Sequence, residues 1–184
     1  MNIFYLDTKP DVCAEHHCDK HVVKMILEYA QLLSTAHRVL DGTESVGISK
    51  TGRKQTRFVL PDHRESVLYS ATHINHPSAA WVRQSKDHYI YLHRLLTYTC
   101  AEYTKRYGKV HKVQRDDIMS TLYIPPVALD NKRGFVEPPP AMPDYCKVAG
   151  DSVASYRNYY IKEKSRFATW KTKAPQWYVE GVST

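Results

Sequence analysis

No apolar run in this chain of 184 residues approaches the roughly 20 residues that span a bilayer, so no membrane partner is expected. The opening stretch MNIFYLDTKPD lacks both a basic n-region and a long apolar core, so a signal peptide is not expected. Cys13, Cys18, Cys100 and Cys146 never pair as CxxC. That spacing fits reduced thiols in a cytosolic protein better than a disulfide framework or zinc ribbon. Internal repeats and low-complexity segments are also missing. Helix breakers are absent from Asp11 to Val39 and again from Ser78 to Tyr107.

What is present is positive charge, histidine and tyrosine. Lys plus Arg number 26 against 19 Asp plus Glu, a net charge of +7, with ten histidines besides. A basic balance points to an anionic partner, nucleic acid before membrane. Fourteen tyrosines and three tryptophans serve as core or as stacking platforms for bases.

The two breaker-free stretches predict long helices. Over 11–39, Val22, Ile26, Tyr29, Ala30, Leu33 and Ala36/His37 form a core-facing stripe, with Pro10 at the start. His17, His21, Lys24, Glu28 and Gln31 recur at spacings of three or four and so should share a polar face. Lys24 and Glu28 alone would be an ordinary surface pair. With the imidazoles they make a set capable of proton transfer or amine chemistry. Over 77–107, Trp81, Ser85, His88/Tyr89, Leu92, Leu95/Leu96, Thr99 and Tyr103 trace an inward stripe that closes at Gly108. Shorter helices are expected over 63–72, 116–122 and 153–167. Cys13 with His17, and Cys18 with His21, have helical metal-ligand spacing. A zinc site there would need His73 or His76 in addition, and no metal or other cofactor is expected.

Three segments read as irregular. Residues 41–57 form a loop made basic by Arg53, Lys54 and Arg57; residues 124–150 carry six prolines; residues 168–184 form an aromatic and basic tail. Within the proline-rich stretch Phe135, Met142, Tyr145 and Val148 are the expected apolar anchors. In the tail, Lys171, Lys173, Trp177 and Tyr178 either contact nucleic acid or staple the C-terminus to the body. The whole predicts a mainly α, compact, single-domain helical bundle over 1–184, with long irregular loops and an extended N-terminus. A monomer is expected.

Three segments together resemble the phage pyrimidine-dimer DNA glycosylase (endonuclease V-like) family. They are HVVKMILEYAQLL with Glu28, NHPSAAWVRQSKDHYIYLHRLLTYTCAEYTKRYG, and YRNYYIKEKSRFATWKTKAPQWY. The likeness covers about two thirds of the chain; the basic loop and proline-rich stretch are additions to it. The resemblance implies a phage DNA-repair enzyme in the cytoplasm of an infected bacterium, acting on damaged or modified pyrimidines in duplex DNA. Such an enzyme is an N-glycosylase with an abasic-site lyase step: an amine attacks the sugar C1′, a Schiff base forms, and β-elimination nicks the strand. It would flip a nucleotide out of the duplex to reach it. Glu28 matches the family's carboxylate. The family's nucleophile is the α-amine exposed by removal of the initiator Met. Here Asn2 is larger than the residues that permit removal, which leaves the Met1 amine, Lys24 or Lys20 as candidates. His21 would orient or transfer protons, or pair with Glu28 on another nucleotide substrate. Lys20, Arg53, Lys54, Arg83, Lys171 and Lys173 are the expected phosphate contacts. Two other readings remain: an enzyme that modifies pyrimidine bases or nucleotides on the same scaffold, and a non-enzymatic DNA-binding module.

Overall fold

The computed structural model describes residues 1–48 and 51–183. Helices dominate: α1 (Pro10–His16), α2 (Asp19–Asp41), α3 (Arg64–Val67), α4 (Pro77–Val82), α5 (Lys86–Tyr107), α6 (Lys112–Arg115), α7 (Ile118–Thr121), α8 (Ser152–Tyr159) and α9 (Gln176–Val182). The sheet is one antiparallel pair, β1 (Thr43–Ile48) and β2 (Lys54–Val59). The expected mainly α class therefore holds, and no described helix is long and apolar enough to cross a membrane.

The core lies where α2, α1 and α5 pack together. The expected stripes are there: Val22, Ile26, Tyr29, Ala30 and Leu33 on α2, and Tyr89, Leu92, Leu95 and Leu96 on α5, are fully buried. Segment Ile3–Leu6 belongs to no helix or strand, yet all four of its side chains are buried. Its backbone is held from α1: the Leu6 amide donates to Cys13 Sγ, which donates to the Phe4 carbonyl.

Both long helices are broken where partners elsewhere in the chain take up backbone hydrogen bonds. The expected helix over 11–39 stops at His16 and resumes at Asp19. Arg106, from α5, takes the carbonyls of Glu15 and His17, and the Asp19 amide donates to the Thr169 carbonyl. These outside partners satisfy groups that a continuous helix would have paired internally. The helix over 77–107 is interrupted after Val82; Ser85 caps α5, and the Lys86 amide donates to the Asp130 carbonyl.

The 63–72 helix shrinks to α3 because Arg38 captures the Glu65, Leu68 and Tyr69 carbonyls. The 116–122 helix is the shorter α7, which starts after Asp117 at φ 58°; α6 precedes it and was not expected. The last helix passes into a π-helical turn over Tyr160–Lys164, and the tail ends in α9. The expected 41–57 loop is a hairpin, of which residues 49–50 lie outside the described chain. The 124–150 stretch is irregular as expected, with one short 3-10 turn at Asp144–Cys146. Of its expected anchors, Phe135 packs against the Trp81, His88 and Tyr91 rings although 43 % exposed. Tyr145 and Val148 stay exposed, whereas Leu129 and Cys146, which were not expected anchors, are buried. Met142 is partly buried.

Candidate active site at the N-terminal amine

Glu28 sits on α2 with its side chain 13 % exposed. Its Oε1 lies 3.0 Å from Lys24 Nζ, one turn earlier on the helix. Its Oε2 lies 4.0 Å from the Met1 α-amine and accepts the Asn2 backbone amide at 3.2 Å. Helical spacing puts the lysine there; the amine arrives because the buried 3–6 segment runs past α2. Lys24 is 62 % exposed, whereas the Met1 side chain is only 5 % exposed. The carboxylate thus faces two amines, one on an exposed side chain and one beside the pinned residue 2.

Residue 2 is pinned. Asn2 Nδ2 donates to the Ala141 carbonyl at 2.9 Å, and its Oδ1 accepts from the Tyr156 hydroxyl at 2.6 Å. The same hydroxyl lies 3.0 Å from the Pro139 carbonyl. The proline-rich stretch and α8 therefore set where the N-terminus ends. Nothing in the sequence pattern signalled this contact, which joins residues far apart in the chain.

His76 belongs to the same neighbourhood. Burial lowers its pKa; the N-terminal ammonium and His73 lower it further, while Glu28 opposes them. Its influence on the amine and the carboxylate is electrostatic; its Nδ1 accepts the Ser78 amide at 3.2 Å. His73, three residues earlier, holds φ at 49°, a conformation uncommon for a residue other than glycine. Sequence reasoning considered these two histidines only as metal partners.

The expected polar face of α2 is half buried. His17 is wholly inside: Nδ1 donates to the Cys13 carbonyl at 2.6 Å, leaving Nε2 to accept from Tyr29 Oη at 2.6 Å. Both nitrogens are occupied within the fold. His21 is 4 % exposed, bonds Tyr160 Oη through Nδ1 at 2.5 Å, and stacks on Phe4 at 4.3 Å. Burial, then His17, Lys164, Lys24 and Lys20, push its pKa down to about 2. It is neutral near pH 7, and the fold buries the imidazole that helical spacing assigned to a polar face. Cys13, Cys18, Cys100 and Cys146 are buried free thiols. No group of three or more His, Cys, Asp or Glu among the described residues converges to hold a metal ion.

Cations and rings flank the site. Lys20 Nζ stands 4.7 Å from the Phe167 ring centroid, with the Arg166 guanidinium 5.9 Å from the same ring. Lys164 Nζ lies 4.1 Å over the Tyr159 ring. Tyr159 in turn stacks on Phe4, 6.1 Å away, and Phe4 meets Tyr156 edge-on at 5.8 Å. Lys164 and Tyr160 both lie in the π turn, a feature that recurs at functional sites. The expected phosphate contacts included Lys20 but not Lys164 or Arg166.

The other expected DNA contacts are dispersed. Arg83 is half-buried: Nη2 donates to the Ile74 carbonyl, and Nη1 has no partner among the described residues. Burial lowers its pKa. Arg53 and Lys54 are exposed on the hairpin. Lys171 lies over Tyr107, and Lys173 lines a cleft with Glu15 and Glu102. Trp177 Nε1 bonds His16 Nδ1, and Trp170 Nε1 bonds the His16 carbonyl. Tyr178 is 8 % exposed and packs against Trp170. These rings staple the tail to the body, and Tyr178 is too covered to stack on a base. A separate cavity on α5, lined by His93, Tyr98, Met119 and Tyr123 among others, contains none of the expected site residues.

No protein-family model matches the chain, and neither the curated proteins nor the solved structures contain a match.

Proposed function

We propose that this protein is a DNA-acting enzyme of the pyrimidine-dimer glycosylase kind, using an amine at the N-terminus to open a pyrimidine N-glycosidic bond. The observation that supports this is the Met1 α-amine 4.0 Å from Glu28 Oε2. Of the two amines that face Glu28, this one belongs to a residue with a buried side chain, and the Asn2 hydrogen bonds set its position. The free amine attacks C1′ and the base departs, taking a proton. Ring opening leaves a Schiff base, and loss of a C2′ proton expels the 3′ phosphate by β-elimination. Glu28 is suited to stabilise the cationic sugar and to move the protons. Lys20, Lys24, Lys164 and Arg166 offer phosphate contacts around it. Asn2 supports retention of Met1, so Met1 rather than residue 2 is the nucleophile in this reading. Lys24, exposed and already paired with Glu28, is the second candidate.

The test is borohydride trapping on duplex DNA carrying an abasic site or a pyrimidine dimer, followed by peptide mapping. An adduct on the Met1 amine is the expected result. An adduct on Lys24 would transfer the nucleophile to that side chain. No adduct in a preparation that binds the DNA would overturn the amine chemistry and leave a binding module.

A further inference from the structure

We propose that the β1–β2 hairpin is an arm that enters the major groove of duplex DNA. The inference rests on the proposed function for its partner, DNA, but not for its chemistry.

The hairpin is largely exposed, with residues 55–59 lining an open polar cleft beside Arg38, Glu65, Ser70 and Ala71 of the body. Apart from Gly47 and Phe58, every described residue of its two strands is exposed. An isolated two-stranded ribbon is marginal in water. This one is fixed at its base, where Arg38 donates to the Phe58 carbonyl. Beyond that anchor, Val46 and Ile48 are 72 % and 71 % exposed, which marks an interaction element rather than a packed hairpin. Each strand rises about 3.4 Å per residue, so six residues reach roughly 20 Å.

Charge selects the occupant. Arg53, Lys54 and Arg57 outnumber Glu44 in the arm, which suits a polyanion. The same cations on an open strand edge oppose addition of a strand from another protein.

Register selects the groove. Arg57 pairs across from Ser45, and Gln55 across from Gly47. Gly47 leaves that face low: a β-carbon there would sit 3.5 Å from the Arg57 side chain. Gln55 and Arg57 share a face two residues apart, about 6.8 Å along the strand, which matches two base steps of about 3.4 Å. Arginine and glutamine are the side chains that read guanine and adenine edges in the major groove, and that groove admits a two-stranded ribbon. The deep, narrow major groove of A-form RNA does not.

The test compares the wild type with Gln55→Ala/Arg57→Ala and with a chain in which residues 45–57 are replaced by Asn-Gly. The replacement keeps the Glu44–Phe58 pair and closes it with a favoured two-residue turn. Lesion-free duplex DNA is the probe, read by dimethyl sulfate protection of guanine N7 and by affinity; thermal unfolding checks that each variant folds. Protection by the wild type, lost in both variants along with about tenfold in affinity, is the expected result. Wild-type protection and affinity in both folded variants would overturn the arm, as would unprotected guanines under bound wild type. Borohydride trapping by the wild type is scored separately. Trapping without N7 protection removes the arm and keeps the chemistry; N7 protection without trapping does the reverse.

Discussion

The Met1 α-amine and Glu28 Oε2 lie 4.0 Å apart, although 26 residues separate Glu28 from Asn2, whose amide bonds the same oxygen at 3.2 Å. The carboxylate thus holds the backbone next to the amine as well as facing the amine itself. The first prediction follows from that double duty.

Glu28→Gln keeps an acceptor for the Asn2 amide but removes the charge. Turnover on abasic-site DNA should fall by about 10²–10⁴-fold, the range for a lost acid/base group, while DNA affinity stays within a fewfold. Single-turnover nicking together with equilibrium binding separates the two. Equal loss of binding and turnover would argue against a role at the sugar.

Stability should decline on acidification. His21, His17 and His37 titrate near about 2, 4 and 4 in the fold, chiefly through burial. Unfolded histidines titrate near 6.5. Below that value the unfolded chain binds protons that the folded chain refuses, so stability present at pH 7 is lost as pH falls toward the folded values. Each such histidine contributes up to about 1.4 kcal/mol per pH unit in that window. Urea midpoints should therefore drop steeply between pH 6.5 and pH 4.5, whereas a flat profile would mean that these imidazoles are not held neutral.

Arg106 closes the α1–α2 break from inside, with its side chain fully buried and Glu102 Oε2 at 2.9 Å. It also bonds Asp19 and the carbonyls of Glu15 and His17. Arg106→Met should destabilise by about 3–5 kcal/mol, because buried Glu102 would keep only the exposed Lys105 and the Glu15 and His17 carbonyls would lose their donor. Arg106→Met with Glu102→Gln should recover part of that loss. Chemical denaturation of the single and double variants measures both.

Arg38 ties three segments together, reaching the Phe58, Glu65, Leu68 and Tyr69 carbonyls and the Glu65 carboxylate. Arg38→Lys keeps the charge but cannot reproduce the fork. A loss of about 2–4 kcal/mol is expected from the orphaned acceptors. Amide exchange should rise first in residues 58–69, before global unfolding. Uniform exchange across the chain would assign Arg38 a different role.

The sequence by itself determined the helical class, the buried stripes of α2 and α5, and the Lys24–Glu28 pair, because all of these follow from a local period of 3.6 residues. It also fixed the basic balance, since charge is additive along a chain. Only the tertiary structure decided that the amine reaches Glu28, since that depends on Asn2 bonding Ala141 and Tyr156. Only packing decided that His17 and His21 turn inward, away from the polar face their spacing suggested. The helix breaks at His17 and Arg83 were illegible for the same reason: Arg106, Thr169 and Asp130 supply the hydrogen bonds from afar. The hairpin was hidden by composition, because its glycines and charges read as loop while its pairing depends on register across the turn. Local periodicity is written in neighbouring residues; a break, a buried imidazole or a strand pair is decided by partners elsewhere in the chain.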